Sequence, residues 1–197
     1  MLSPRRREAL AAQIETLATG YSYIELSPAQ IDHIVLTGKR LHRLNLLEAQ
    51  AMAKAIETLK PNLAYVDASD VKPERFGQQI KNLLTFNAEI ISEHKADQKY
   101  PAVSAASILA KVRRDQHIKQ LHEKHGDLGT GYPNDPKTLK FLKTLLTQGP
   151  LPPYVRKSWK TIKRLNQEAK QRHPPPPLPQ HTKISHKTHS KKPEPKR

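Results

Sequence analysis

Leu63-Ala64-Tyr65-Val66-Asp67-Ala68 is a short apolar run that ends beside a carboxylate, and Ala88-Glu89-Ile90-Ile91-Ser92-Glu93 is its counterpart further along the chain. Between them Pro73 opens a segment with Phe76, Ile80, Leu83 and Leu84 at helical spacing. Strand, helix and strand in that order form a βαβ unit, whose strands run parallel with a right-handed crossover. The expected fold class is therefore α/β. Asp67 ends the first strand. The second strand is followed by His94-Lys95-Ala96-Asp97-Gln98-Lys99-Tyr100-Pro101. Element order alone puts Asp67 and Asp97 at the carboxyl ends of neighbouring strands, where open α/β sheets carry their sites.

Outward from this unit the chain reads as mostly helical. Ser3-Pro4 is an N-cap followed by a proline at the first helical position, with Leu10, Ile14 and Leu17 spaced as a helix face. Tyr21 to Leu26 alternates and is aromatic, which predicts a strand. Ser27-Pro28-Ala29-Gln30 predicts a capping box and a short helix ending at Gly38. After the basic link Lys39 to Arg43, Asn45 and Glu48 are expected to cap a helix bearing Leu44, Leu47, Met52, Ile56 and Leu59. Beyond Asp97, a helix runs from Val103 to about Lys124. A Gly-rich loop then carries Gly129-Thr130-Gly131-Tyr132-Pro133, and Asp135-Pro136 starts a helix with Leu139, Leu142, Leu145 and Leu146. A last helix is expected from Tyr154 to about Gln171. From Gln171 to Arg197 the prolines, histidines and lysines leave too little to bury, so this tail is expected to be disordered. The expected organisation is one domain over residues 1–170 and a basic tail over 171–197.

The 197 residues carry 34 Lys and Arg against 18 Asp and Glu, a formal +16. Lys170 to Arg197 holds eight of those basic residues and only Glu194 among the acids, a net +7, so +9 belongs to the chain before it. A surface basic throughout favours nucleic acid or an anionic membrane. The absence of cysteine removes disulfides and thiolate metal sites. No apolar run approaches the roughly 20 residues of a membrane span. Met1 leads directly into Ser3-Pro4-Arg5-Arg6-Arg7 without the apolar core of a secretory signal. Cytoplasmic residence is the expectation.

The residues that carry chemistry each have a plainer reading. A carboxylate at the end of an apolar strand must be neutral, paired or metal-bound if it is buried. Asp67 fits that description, or it caps the following loop; Asp70 is better read as a cap. Asp97 could pair with Lys95 or Lys99. Two acids on adjacent parallel strands together suit Mg²⁺, which takes oxygen ligands. Ser104 and Ser107, near a helix start, could hold phosphate, or they could serve close helix packing. Tyr132, on a flexible Gly-rich loop, suits stacking on a sugar or base, or anchors the loop on the core. His94 is a ligand, a base or a structural histidine.

Four stretches in order carry a family resemblance. They are Leu44 to Pro61 with Leu-Glu-Ala-Gln-Ala-Met at its centre, Tyr65 to Val71, His94 through Asp115, and Gly126 through Lys137. Together they resemble ribonuclease HII, in its archaeal rather than bacterial form. The resemblance implies a ribonuclease H-like α/β fold with a helical C-terminal extension and Mg²⁺ or Mn²⁺ as cofactor. It implies an endonuclease of DNA replication and repair, cutting the RNA strand of RNA–DNA hybrids and single ribonucleotides in duplex DNA to leave 5′-phosphate and 3′-hydroxyl ends. By the same resemblance Asp67 and Asp97 are the third and fourth acids of the catalytic, metal-binding set. Tyr132 stacks near the ribose at the junction, and Lys95 steadies a phosphate or carboxylate beside the site.

The family pattern begins with a strand carrying Asp-Glu-Ala-Gly-Arg-Gly, and that segment does not stand in these 197 residues. Two of four carboxylates would go with it, and so would that strand, the two strands that follow it in the family and an Asp-Ser-Lys-Lys-Leu segment, leaving an open edge on the strand that ends in Asp67. A misplaced start, a truncation, or a partner in the form of a separate N-terminal fragment are the alternatives. A non-catalytic protein that binds RNA–DNA hybrid, or a basic RNA-binding protein, is the rival function. The tail gives a test of its own. Deleting it should weaken binding to hybrid and to plain DNA by similar factors. It should also flatten log K against log salt, by about 0.9 for each phosphate that the shortened chain no longer neutralises. Titrations of both duplexes at several salt concentrations check this; an unchanged slope together with a loss of hybrid preference would mean that the tail reads structure.

Overall fold

The computed structural model describes residues 2–37 and 42–172. The link at 38–41 and residues 173–197 of the expected disordered tail lie outside them, while Gln171 and Arg172, expected to belong to that tail, are helical. Ten elements follow in order: α1 (Pro4–Leu17), α2 (Pro28–Thr37), α3 (His42–Leu59), β1 (Leu63–Asp67), α4 (Pro73–Lys81), β2 (Glu89–Glu93), α5 (Ala96–Lys99), α6 (Pro101–His125), α7 (Pro136–Gln148) and α8 (Lys160–Arg172). Among the described residues none of these helices is long and apolar enough to cross a membrane.

β1 and β2 pair in parallel, with Leu63 opposite Glu89 and Asp67 opposite Glu93. This is the βαβ unit that the sequence pattern predicts, with α4 as its crossover. One core seals it. Ala49, Ala53 and Ile56 of α3 meet Val66 of β1 and the fully buried Phe76 and Ile80 of α4, with Ala64, Ala68 and Ile90 against them. Small residues on α3 let it lie close to the sheet. On the other side of that contact, Gly77 permits the same closeness: a Cβ there would fall 2.9 Å from Cβ of Ser92 in β2. β1 itself is less buried than an apolar strand suggests, with Val66 enclosed and Leu63 37% exposed. Among the described residues β1 hydrogen-bonds to one neighbour only, β2.

The remaining helices form two further packings. α1 lies along α6 through Ala11, Leu109 and Val112, and Arg7 reaches Asp115 at 2.6 Å. α7 and α8 close on the segment between them through Leu142, Val155, Ile162 and Leu165. Three of the caps legible in sequence form as expected. Ser3 Oγ accepts the Arg6 N–H, Ser27 and Gln30 cap each other's backbone N–H groups, and Asp135 accepts the Lys137 N–H.

Three expectations are corrected. Tyr21 to Leu26 is not a strand. It pairs with neither β1 nor β2 and is held by side chains instead: Glu25 pairs with Arg113, and Arg113 also lies over the Tyr23 ring. Asn45 does not cap a helix; it lies inside α3 and donates to Asp70 Oδ2 at 3.0 Å. The last helix begins at Lys160 rather than Tyr154. Buried Asp32 of α2 accepts the N–H groups of Lys157 and Ser158 at 2.7 and 2.8 Å, which commits that segment to a turn. Burial would raise the Asp32 pKa, yet the Ser158 and Lys157 hydrogen bonds outweigh it and the carboxyl titrates below its ordinary value.

Phe76 is enclosed on all sides, so Phe76→Ala should lower unfolding free energy by about 3–5 kcal/mol. Urea denaturation followed by circular dichroism measures it, and a decrease below about 1 kcal/mol would mean that α4 does not anchor the sheet.

Candidate active site

Asp67 is the last residue of β1, and its side chain is exposed. Asp97 is the second residue of α5, half-buried, one short turn beyond β2. What joins them is one hydrogen bond. Ala96 N–H donates to Asp67 Oδ1 at 3.2 Å, so the residue adjoining Asp97 is tied to the Asp67 carboxylate. The turn that delivers Ala96 passes through Lys95 with φ +56°, the left-handed region. A non-glycine residue there costs on the order of 1 kcal/mol, and such strain gathers at functional positions.

The flanking lysines do not neutralise Asp97 in the way the plainer reading expects. Lys99 instead pairs with Glu93, whose carboxylate also accepts the Tyr100 hydroxyl at 3.0 Å. Lys99 first and Tyr100 second hold the Glu93 carboxyl below its ordinary pKa. Glu93 faces Asp67 across the sheet but is thus already engaged. Tyr100 in turn stacks on Tyr65 of β1, with ring centroids 4.1 Å apart. His94 Nε2 lies 3.3 Å from the Val71 carbonyl, which is a loop-holding contact. Asp70 is buried as a cap, held well below the usual carboxylate range by Arg75 first, then by the Lys72 N–H and Asn45.

Ser104 is the fourth residue of α6, because that helix starts at Pro101 rather than Val103. Its N–H donates to the Tyr100 carbonyl at 3.0 Å, so that amide is used inside the helix and the hydroxyl is what remains for a phosphate. From Ser104 a stripe of half-buried residues runs along α6: Ser107, Lys111 and Arg114. Lys111 Nζ donates to Ser107 Oγ at 2.9 Å. Ser104 and Arg114 are ten residues apart, about 15 Å of helix. At the far end the Arg114 guanidinium lies over the Tyr132 ring, 3.9 Å from its centroid.

Tyr132 is 48% exposed, and its loop is not a free one. Asp135 Oδ2 accepts the Thr130 N–H and the Thr130 hydroxyl. The Gly131 N–H donates to Thr138 Oγ1 at 2.9 Å, and His122 Nε2 lies 2.8 Å from the Gly129 carbonyl. The hydrogen bond from the Thr130 N–H is the largest of the influences that hold the Asp135 carboxyl down at about 2. Sequence reasoning does not single out Arg114 or Thr138. The spacing of Ser104, Ser107, Lys111 and Arg114 on one helix face would have found the first. A threonine three residues after an N-cap aspartate would have suggested the second.

Asp67 and Asp97 offer the hard oxygen donors that Mg²⁺ or Mn²⁺ takes. Among the described residues no group of three or more His, Asp or Glu gathers to hold a metal ion. The pair therefore fits part of a divalent-metal shell and not a whole one.

Residues 1–162 match the family model described as Ribonuclease HII. The chain is similar to the ribonuclease HII of Thermococcus onnurineus, 46% identical over 170 residues, covering 85% of this chain and 72% of that protein. The ribonuclease HII of Pyrococcus furiosus is 44% identical over 172 residues, 86% of this chain and 74% of its own length. Among solved structures, the ribonuclease H2 of Pyrococcus horikoshii superposes with a TM-score of 0.75 at 40% identity, over 87% of this chain and 80% of that one. The PCNA:RNase HII complex from Archaeoglobus fulgidus gives 0.74 at 40% identity, over 84% and 78%.

The folded pKa of Asp135 lies below its ordinary 3.8, so its support of the Tyr132 loop is complete above about pH 4 and is lost as pH falls toward 2. An NMR titration of the Thr130 amide should inflect near pH 2; an inflection at 3.8 would show that the carboxylate does not hold the loop.

Proposed function

This chain belongs to the ribonuclease HII family, and from that premise we propose that it acts on the RNA strand of RNA–DNA hybrids and on single ribonucleotides in duplex DNA by two-metal-ion hydrolysis. Members of the family are type II ribonucleases H, hydrolases that cut endonucleolytically in RNA–DNA. The observation that carries the reading here is the Ala96 N–H bond to Asp67, which couples the two acid-bearing turns at one end of the parallel pair.

In this reading Asp67 and Asp97 are two of four carboxylates that hold Mg²⁺ or Mn²⁺. The chemistry that such ions supply is activation of a water and stabilisation of the leaving 3′ oxygen. Asp67 keeps one oxygen on the Ala96 amide and presents the other. Lys95, exposed beside Asp97, and the Ser104 hydroxyl at the start of the α6 stripe contact phosphate. Lys111 and Arg114 extend that stripe with positive charge toward Tyr132. Tyr132 stacks near the ribose at the junction, its ring held over Arg114. The basic chain as a whole supplies sequence-independent attraction to the duplex.

Because no third or fourth carboxylate stands with Asp67 and Asp97 among the described residues, the chain by itself is proposed to bind its substrates and to cut little. A separate segment that brings the Asp-Glu pattern would complete the site. The test compares three duplexes in Mg²⁺ and in Mn²⁺: an RNA–DNA hybrid, a DNA duplex with one ribonucleotide, and an all-DNA duplex. Ribonucleotide-containing duplexes should bind more tightly, cleavage should be near background, and Asp67→Asn or Asp97→Asn should remove whatever cleavage is seen. Equal binding of all three duplexes would overturn the reading of the site. Strong cleavage abolished by Asp67→Asn would overturn the claim that the chain alone is incomplete.

A further inference from the structure

Thr138 stands in the first turn of α7 and is 3% exposed. Its hydroxyl accepts the Gly131 N–H at 2.9 Å and lies 3.0 Å from both the Leu128 carbonyl and Asp135 Oδ2. With one hydrogen to donate, it satisfies one of these acceptors at a time while still holding Gly131. Gly131, the residue before Tyr132, has φ +70°, and a Cβ there would fall 2.7 Å from Ile118 Cδ1 and 2.9 Å from Arg114 Nη2. The backbone leading into Tyr132 is thus wedged between α6 and the Thr138 hydroxyl. The ring is met from the α6 side by Arg114.

We propose that Thr138 is a positioning residue for substrate discrimination. Its buried hydroxyl fixes the peptide before Tyr132 and so sets where the tyrosine ring meets the ribose. The proposal rests on the reading of Tyr132 as the residue that faces the ribonucleotide. Thr138 is too buried to touch a duplex itself, so its effect passes through the Gly131 N–H. A ring carried by a glycine-flanked loop needs such an external hold, because recognition of one hydroxyl demands placement to about 0.5 Å. Asp135 shares the task on the Thr130 side, and the helix that follows gives both groups a rigid base.

The test uses the full chain with Thr138→Val, which keeps the side-chain shape and removes the hydroxyl, and Thr138→Ser, which keeps the hydroxyl. Two readouts are taken. The first is the ring-current shift that Tyr132 imposes on the Arg114 side-chain resonances in NMR spectra of the free protein. The second is the ratio of Kd for an all-DNA duplex to that for the same duplex with one ribonucleotide, measured in EDTA so that no cleavage intervenes. Thr138→Val should lose the ring-current shift and lower the ratio by about tenfold, toward that of Tyr132→Ala. Thr138→Ser should retain both. If Thr138→Val does not fold, Thr138→Ala carries the same two arms. A wild-type ring-current shift in the hydroxyl-free variant overturns the proposal. So does an abolished shift with a retained ratio, when Tyr132→Ala loses the ratio. If Tyr132→Ala itself keeps the wild-type ratio, the reading of Tyr132 fails and the proposal falls with it, a result distinct from failure at Thr138 alone.

Discussion

Parallel pairing of β1 with β2 requires the chain to leave one end of the sheet and re-enter at the other, and α4 provides that return. The geometry leaves both strands finishing at the same end of the sheet. Phe76 and Ile80 hold α4 against the pair, and Gly77 lets it approach Ser92 closely. Asp67 and the turn into α5 therefore meet without any long loop, and a single N–H donor from Ala96 is enough to join them. The strands that carry the proposed site are held by the apolar contact of α3 and α4, and its own polar groups add the one bond from Ala96 to Asp67.

α6 then acts as the spine of the rest. Its buried face, Leu109 and Val112, takes α1, while the half-exposed stripe from Ser104 to Arg114 connects the acid-bearing end to Tyr132. One helix thus relates two distant sequence features by a fixed rise and rotation. The second relation, between α6 and α7, is polar. Thr138, Asp135 and His122 grip the backbone of residues 129–131 from two sides. The loop that looks flexible in sequence, because of its glycines, is one of the more constrained segments of the chain. Its glycines are there to fit between two helices.

Charge does a different job from packing. Glu93, Asp127 and Asp135 are each drawn into local pairs or hydrogen bonds that keep them ionised, so they are used within the protein. Asp67 keeps an exposed face and Asp97 a half-exposed one, in a chain of formal charge +16. Accessible carboxylates on a chain this basic are the feature from which the metal-binding role of Asp67 and Asp97 is proposed.

The sequence by itself determined what depends on neighbours a few residues away. The βαβ order, the placement of Asp67 and Asp97, and the caps at Ser3, Ser27 and Asp135 were all legible, because periodicity and cap chemistry act within one or two turns. The tertiary structure decided whatever needs a distant partner. Tyr21 to Leu26 has strand-like residues, but a strand exists only where another pairs with it, and Arg113 took the segment instead. Residues 154–159 continue a helical pattern, yet Asp32 of α2 claims two of their N–H groups and stops a helix there. Asn45 turned from capping to Asp70, and the Ser104 amide closed onto Tyr100 once α6 began two residues earlier than its apolar pattern. Thr138 shows the same limit from the other side: its place three residues after Asp135 marks it as a neighbour of the cap, but its pairing with the Gly131 N–H depends on how α7 meets the loop.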